Sequence, residues 1–404
     1  MGLEVLIASR GEHSLVTEVH AGIHVNLEDI PAAVDRISKE ARRQPFAGIL
    51  GSDDSTVELA ATIARQLQLP HNPPAAARIS RRKDLARAHL ALAGCPVPLH
   101  CLVDLSKPLD RQLNGLPFPC VIKPLAMSAS RGVIRANNKT EFIEACNRIK
   151  NIIAESSDDF EKTHVLVEDY IDGIEVAYEG YLQEGLLNTI ALFDKPDPLE
   201  GPYFEESIYI TPSNLGDETQ KKIKERVQQA CAAYGLNTGP IHAELRIDKQ
   251  DAWLLELASR TIGGNCARTL DSHNEFNLEE LTVSLAIGQN VEMKAPENNR
   301  GVMMIPIKQG GILRRVEGLS AASRTPCIDN ISINVREGHE LIPLPEGNQY
   351  AGYIFASAGD PCADDSGDNK SGNKKYNQVL MALREAHAKL NFVTAPLIAK
   401  ARVI

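Results

Sequence analysis

The first 95 residues alternate short apolar runs with amphipathic stretches, the pattern of β-strands separated by α-helices. The apolar runs at 3–9 and 46–52 predict buried strands, and Ser55 with Glu58 predicts a capping box at the start of a helix over 57–69. Strands that alternate with helices build a parallel sheet covered by those helices. We therefore expect an N-terminal α/β domain over residues 1–95, closed by the proline-rich segment that follows the helix.

Residues 96–300 mix strands and helices as an α+β unit, with a small subdomain at about 119–192. Asn138 with Glu141 predicts the cap of a helix, and Asp217 with Gln220 predicts the start of a longer one that ends at Gly235. The predicted apolar face of the long helix consists of Ile223, Val227, Ala230 and Tyr234. The predicted strands lie at 118–124, 163–171, 176–182, 188–193, 240–247 and 252–259.

Residues 301–404 predict a third, smaller unit with strands at 302–307, 331–335 and 349–359 and a final helix at 376–390. The segment before that helix is polar and contains glycine. Such a composition buries too little apolar area to hold one shape, so we expect a mobile loop at about 360–375.

Charge and composition exclude several classes of protein. The 53 acidic residues outnumber the 43 basic ones, giving a net charge of −10, which argues against binding to nucleic acid. No apolar run reaches the roughly 20 residues that span a bilayer, and the start lacks the pattern of a signal peptide, so we expect a cytoplasmic protein that binds no membrane. The eight cysteines show no metal-ligand spacing, which favours buried thiols over disulfides or zinc.

The segment 240–259 predicts a hairpin with an acidic face. If 249–251 form its tip, Glu244 lies opposite Glu256, with Cβ atoms roughly 5 Å apart. Side chains alternate between the faces of a strand. The face of these two glutamates would then also carry His242, Arg246, Leu254, Ala258 and Arg260, and the other face Trp253, Leu255 and Leu257.

Two explanations of these opposed glutamates stay open. Like charges at facing positions repel unless a cation lies between them, and Mg²⁺ is commonly bound by one or two carboxylates together with substrate phosphates. Alternatively the face is solvated, and Arg246 and Arg260 neutralise Glu244 and Glu256. The spacing alone does not decide between a metal site and a solvated face.

Two other segments carry weaker signals. Lys123 ends an apolar strand and precedes small residues up to Arg131 and Gly132, a composition that suits a phosphate-binding loop but also an ordinary surface loop. Glu168, Asp169 and Glu175 follow another strand, where they could meet a nucleoside or simply form an exposed strand end.

The order of these features resembles the ATP-grasp superfamily of carboxylate–amine ligases over about residues 3–290. The closest likeness is to the L-amino acid ligases, which form dipeptides and carry a similar SASRGV loop, here at 128–133, and a similar Arg-x-x-Gly-Gly turn, here at 260–264. The implied architecture is an N-terminal parallel-sheet domain, a central ATP-grasp domain and a C-terminal lid domain at 301–404.

The resemblance implies ATP and Mg²⁺ or Mn²⁺ as cofactors. The residues that would hold the phosphates of ATP are Lys83, Lys123, Ser128, Ser130, Arg131 and Gly132. Glu168 and the backbone from Asp169 to Ile171 would meet adenine, and Glu175 the ribose.

The matching positions also imply a catalytic centre. Glu244 and Glu256 would bind the metal, and Arg260 with the backbone near Gly263 and Gly264 would stabilise the acyl phosphate and the tetrahedral intermediate. His242 would contact substrate or act as a base, or would simply be bonded to a neighbouring carboxylate.

Three departures from the family pattern change what the resemblance implies about the metal, the substrate and the N-terminal domain. Ala258 stands where many relatives have an asparagine, which puts a second metal in doubt, and Gly264 stands where biotin carboxylases have a glutamate, which argues against bicarbonate chemistry. We also expect the first domain to lack the family's first strand and helix, either because the start is truncated or because the sheet is smaller than usual, and an exposed sheet edge there would favour a homodimer.

The leading hypothesis is therefore an enzyme that joins a small-molecule acid, such as an amino acid, to an amine at the expense of ATP. A different ATP-grasp ligase or carboxylase step in nucleotide biosynthesis, and a nucleotide-binding protein without turnover, are the alternatives. Substrate-dependent release of ADP separates the last of these from the other two.

Overall fold

The computed structural model describes residues 2–10, 22–112, 115, 117–271, 277–293, 298–358 and 371–397. The strands in chain order are β1 (Ile7–Ser9), β2 (Gly22–His24), β3 (His100–Asp104), β4 (Cys120–Pro124), β5 (Ile134–Ala136), β6 (His164–Asp169), β7 (Ile174–Gln183), β8 (Leu186–Asp194), β9 (Ile208–Thr211), β10 (Gly239–Ile247), β11 (Ala252–Ala258), β12 (Arg300–Ile305), β13 (Gly311–Glu317), β14 (Ile328–Ile333), β15 (Glu340–Leu341), β16 (Gly352–Ser357) and β17 (Asn391–Ala395). The α-helices are α1 (Ile30–Arg43), α2 (Val57–Gln66), α3 (Pro74–Arg81), α4 (Lys83–Leu92), α5 (Lys139–Ile152), α6 (Asp217–Tyr234), α7 (Leu278–Ala286), α8 (Leu319–Ala322) and α9 (Ser371–Ala388).

The N-terminal part contains one parallel pairing, between β1, which is the end of the strand predicted at 3–9, and β2, which was not predicted. The strand predicted at 46–52 is wrong, since this segment connects α1 to α2 without a strand. The helix begins at residue 57 as predicted, but the capping box at Ser55 is wrong, because the cap residue is Thr56 and its side chain makes no cap hydrogen bond. The Ser55 hydroxyl instead donates to Asp53.

A four-stranded sheet with the order β3-β6-β4-β5 forms the small subdomain, and α5 packs against it. Asn138 caps α5 as predicted, because its side chain accepts from the N–H of Glu141 at 3.0 Å. The small sheet contains β3, which precedes the predicted subdomain boundary. In contrast, β7 and β8 belong to the other sheet although they lie within the predicted range.

An eight-stranded sheet with the order β11-β10-β7-β8-β9-β12-β16-β14 forms the centre of the molecule. The predicted boundary at residue 300 does not break it, because β12, β14 and β16 continue the sheet. The predicted apolar face of α6 is confirmed, with all four residues buried against this sheet, and Gly235 ends the helix with φ of 77°.

The remaining C-terminal strands form a small sheet with the order β15-β13-β17. Residues 359–370, most of the predicted mobile loop, lie outside the described residues, and 371–375 belong to α9. Among the residues that the structure describes, no helix is both long and apolar enough to cross a membrane.

Candidate active site

A cavity of about 490 Å³ lies where the N-terminal domain, the small sheet and the eight-stranded sheet meet. Every site residue predicted from the sequence lines it except Arg131 and Gly132. One part of its wall is apolar and would accept a nucleobase. The apolar lining includes Val121, Met127, Val133, Ile171, Phe204 and Leu255.

Two lysines predicted to hold phosphates, Lys83 and Lys123, line the cavity. The Nζ of Lys83, at the first residue of α4, donates to the carbonyl of Met127 at 2.8 Å and lies 3.1 Å from Glu256. Lys123 in β4 lies 2.7 Å from Glu168. Both ammonium groups are anchored to carboxylates, so each is held in a fixed position at the cavity wall.

Glu168 lines the cavity and is bound to two cations. Its side chain is 2% exposed and binds Arg87 in α4 as well as Lys123. Burial alone would raise the pKa of Glu168, but these two cations outweigh burial and lower it to about 2. The carboxylate therefore fixes Lys123, and its contact with adenine stays a prediction.

Replacing Glu168 with glutamine is expected to lower the free energy of unfolding by about 2 kcal/mol, because Arg87 and Lys123 would remain buried with no opposite charge. Urea unfolding measures this change. Glu225→Gln, on the exposed face of α6, is the control and should leave stability unchanged. Equal stability of E168Q and E225Q would contradict the structural role of Glu168.

The backbone after Glu168 is also partly occupied. The N–H of Asp169 donates to Leu99 at 2.9 Å and that of Tyr170 donates to Pro119 at 3.2 Å. The carbonyl of Ile171 accepts from Arg246 at 2.9 Å. Asp169 and Ile171 line the cavity, but these bonds leave fewer backbone groups for a ligand than the resemblance implies.

Arg131 and Gly132 are not among the residues that line the cavity, and their contact with phosphate stays a prediction. The guanidinium of Arg131 donates to the carbonyl of Glu346, and the N–H of Gly132 donates to the carbonyl of Pro345, both at 2.9 Å. Ser128 and Ser130 do line the cavity. The C-terminal segment thus holds one end of the loop while its serines remain at the cavity wall.

The predicted pairing of Glu244 with Glu256 is confirmed by the register of β10 and β11. The tip of the hairpin is one residue longer than predicted, and a bulge after Glu244 restores the register. Because the bulge reverses the alternation, Leu254 packs in the core and Leu255 lines the cavity, opposite to the prediction.

A second acidic group lies beside this pair. Glu175, Glu206 and Glu244 have carboxylate oxygens within 4.8 Å of one another. Glu256 is not a member of this group; its carboxylate pairs with Lys83 instead. Glu175 was expected at the ribose, but it is bound to Lys195 at 2.8 Å and to Arg246 at 2.9 Å.

Sequence reasoning missed Glu206 and Lys195, which come from the segment between β8 and β9 and have no motif around them. Burial and the neighbouring Glu244 raise the pKa of Glu206 to about 7. Burial would lower the pKa of Lys195, but Glu175, Glu206 and Glu244 raise it well above its usual value. Lys195 therefore carries a positive charge among these carboxylates at neutral pH.

His242 is bonded to a neighbouring carboxylate, the simpler of the explanations considered for it. Its Nδ1 contacts Glu179, and its Nε2 lies 3.7 Å from Glu244. Burial would lower the pKa of His242, but Glu179 and Glu244 raise it to about 9. Glu179 was missed, although a glutamate in the apolar strand β7, on the same face as Glu175, is a signal that the sequence contains.

Arg260 lines the cavity and is held by a residue that the sequence did not single out. Its guanidinium forms two hydrogen bonds with Asp54 of the N-terminal domain, at 2.8 and 2.6 Å. Such a bidentate pair fixes the orientation of the guanidinium. Gly263 and Gly264 line the cavity next to it.

The two glycines differ in what a side chain would meet. Gly264 has φ of 62°, and a Cβ there would lie 2.6 Å from the hydroxyl of Tyr353, whereas a Cβ on Gly263 would meet nothing within 4 Å. Gly264→Ala is therefore expected to lower the free energy of unfolding by about 1 to 2 kcal/mol. Gly263→Ala is the matched variant. Equal thermal unfolding of the two variants would show that this backbone is not constrained.

Three family models match the chain in succession. They are an ATP-grasp N-terminal domain at 1–71, an ATP-grasp domain at 116–269 and an L-amino acid ligase C-terminal domain 2 at 303–363. Their order agrees with the order of the domains expected from the motifs.

Curated relatives are similar at low identity. An uncharacterized protein of Sinorhizobium fredii is 23% identical over 83% of this chain and 68% of its own length. An alanine–anticapsin ligase of Bacillus amyloliquefaciens is 26% identical over 57% of this chain, and the match spans only 52% of that ligase.

A solved structure has the same fold. The L-amino acid ligase from Bacillus licheniformis superposes with a TM-score of 0.83 and 24% identity, covering 98% of this chain and 93% of that one. The domain matches place the chain in the ATP-grasp superfamily, with a C-terminal domain similar to that of the L-amino acid ligases.

Proposed function

We propose that this protein forms an amide bond between the carboxylate of an amino acid and an amine, with ATP converted to ADP and phosphate. The observation that carries the proposal is that one cavity joins three kinds of group. It has two lysines, two directly opposed glutamates and a guanidinium beside a glycine turn. This combination of charged groups suits a reaction that moves a phosphoryl group onto a carboxylate.

In the proposed first step, a carboxylate oxygen attacks the γ-phosphorus of ATP and the bond to ADP breaks, which gives an acyl phosphate. Lys83 and Lys123 would hold the phosphates, and Ser128 and Ser130 would lie over them. Catalysis of such a step consists mostly of positioning and charge neutralisation, so it requires no nucleophilic side chain.

The residues of the cavity fit a divalent metal ion. Glu244 and Glu256 face each other across the hairpin, both line the cavity and both remain partly exposed, as ligands of an ion shared with phosphates would be. Mg²⁺ or Mn²⁺ bound there would neutralise charge on the phosphates. Glu256 would then exchange its contact with Lys83 for the ion.

In the proposed second step, the amine attacks the carbonyl carbon of the acyl phosphate, loses a proton, and phosphate leaves. Arg260 would stabilise the negative charge on the carbonyl oxygen, together with the N–H groups near Gly263 and Gly264. Asp54 would orient Arg260. Protonated His242 would hold Glu244 in position, because it lies between Glu179 and Glu244.

A screen for ADP release tests this proposal. Pairs of amino acids are supplied with ATP and Mg²⁺, and mass spectrometry identifies the amide product. We expect ADP release that depends on both an acid and an amine, with one dipeptide formed per ADP. Release that requires a nucleotide precursor would favour the alternative in nucleotide biosynthesis, and no release with any pair would favour a binding protein.

A further inference from the structure

Lys195 is an ammonium group enclosed by carboxylates. Its side chain is 2% exposed, and its Nζ lies 2.8 Å from Glu175 and 3.3 Å from Glu244 and also contacts Glu206. The three glutamates line the cavity, but Lys195 does not. Lys195 therefore meets the carboxylates from the protein side and leaves their other side open to the cavity.

The three carboxylates have the spacing of a metal site. Their oxygens lie within 4.8 Å of one another, close enough to bind one hard cation together. Carboxylates at this spacing repel one another strongly in a buried place when they are charged. The ammonium of Lys195 contacts all three, as a metal ion bound by this group would.

The surrounding contacts hold Lys195 in this position. The Tyr209 hydroxyl donates to Glu206 at 2.8 Å, and the Tyr209 ring lies 5.0 Å from the Nζ. Arg246, opposite Glu175 in the register of β7 and β10, binds the remaining oxygen of Glu175 at 2.9 Å. Glu175 and Glu206 are thus satisfied by the protein itself, whereas Glu244 also faces Glu256.

We infer that Lys195 is a positioning residue that takes the place of a metal ion among Glu175, Glu206 and Glu244. It limits the cavity to one divalent ion, the one proposed between Glu244 and Glu256. Ala258 agrees with this inference, because its methyl group offers no ligand to a second ion. The inference rests on the proposed function only in placing one catalytic ion in this cavity.

Counting of Mn²⁺ ions tests the inference without any turnover. Wild-type protein and Lys195→Met are titrated with Mn²⁺ in the absence of nucleotide, and the free ion is measured by electron paramagnetic resonance. Methionine has a similar length and no charge. We expect K195M to bind one more ion per chain than the wild type, and the double variant K195M/E206Q to lose that ion again.

Glu206→Gln in the wild-type background keeps the test decisive if K195M does not fold. Because Lys195 excludes the ion, the wild type and E206Q should bind equal numbers of Mn²⁺ ions. A folded K195M that gains no ion, or a wild type that binds an ion lost in E206Q, would overturn the inference. Neither result depends on amide formation, so the proposed ligase activity would be judged separately by the screen for ADP release.

Discussion

Replacing Glu256 with glutamine should lower kcat by about a thousandfold. The amide keeps the shape of the side chain but removes one of the two charges proposed to hold the metal ion, and it leaves Lys83 without its carboxylate partner. Loss of one charge that stabilises the transferring phosphoryl group has an effect of this order. ATP binding should weaken less, because the apolar wall and Lys123 remain. Steady-state ADP formation and titration with ATP measure the two quantities.

Asp251→Asn is the matched control for E256Q. It also removes a charge from the same hairpin, at the tip, where Asp251 binds Arg226 outside the cavity. Its kcat should stay within about twofold of the wild type, because a screened surface pair contributes little. If E256Q and the wild type formed ADP at similar rates, Glu256 would have no part in catalysis.

Replacing Arg260 with lysine should lower kcat by about a hundredfold to a thousandfold. Lysine keeps the positive charge, but it cannot form two parallel hydrogen bonds with Asp54 and still present N–H groups to the substrate. The KM for ATP should change less than kcat, since the proposed phosphate ligands Lys83 and Lys123 remain in place. Measurement of kcat and of the KM values for ATP and for the acid distinguishes this result from a general loss of structure.

Arg226→Lys controls for the loss of a bidentate pair. Arg226 binds Asp251 through two hydrogen bonds, at 2.9 and 2.7 Å, in the same manner as Arg260 binds Asp54. R226K should therefore leave kcat unchanged. If R226K and R260K lost activity equally, the effect of R260K would come from folding and Arg260 would have no special part in catalysis.

Much of the fold follows from local patterns that the sequence displays directly. The α6 stripe, the cap at Asn138 and the facing of Glu244 with Glu256 all depend on residues within about twenty positions of one another. In contrast, the segment at 46–52 has the composition of a strand, but it pairs with no strand in the part of the chain that the structure describes. A strand requires a neighbour as well as an apolar run, and neighbours are set by tertiary structure.

The site residues that were missed share a different cause. Asp54 meets Arg260 across 206 positions of the chain, and Glu179 meets His242 across 63. Lys195 and Glu206 follow β8 in the chain. They lie beside Glu175 and Glu244 only because β8 and β10 both pair with β7. The spacing of these residues along the sequence does not predict such contacts. The family resemblance located the cavity, but it did not predict which charges inside it bind one another.

The transfer of oxygen from substrate to phosphate tests the central proposal most directly. An amino acid labelled with ¹⁸O in its carboxylate is incubated with ATP, Mg²⁺ and the acceptor amine, and the inorganic phosphate is analysed by mass spectrometry. Formation of an acyl phosphate carries one carboxylate oxygen into the phosphate that leaves, so we expect one ¹⁸O atom in each phosphate released. Unlabelled phosphate, released together with amide product, would contradict activation of the carboxylate by ATP in this cavity.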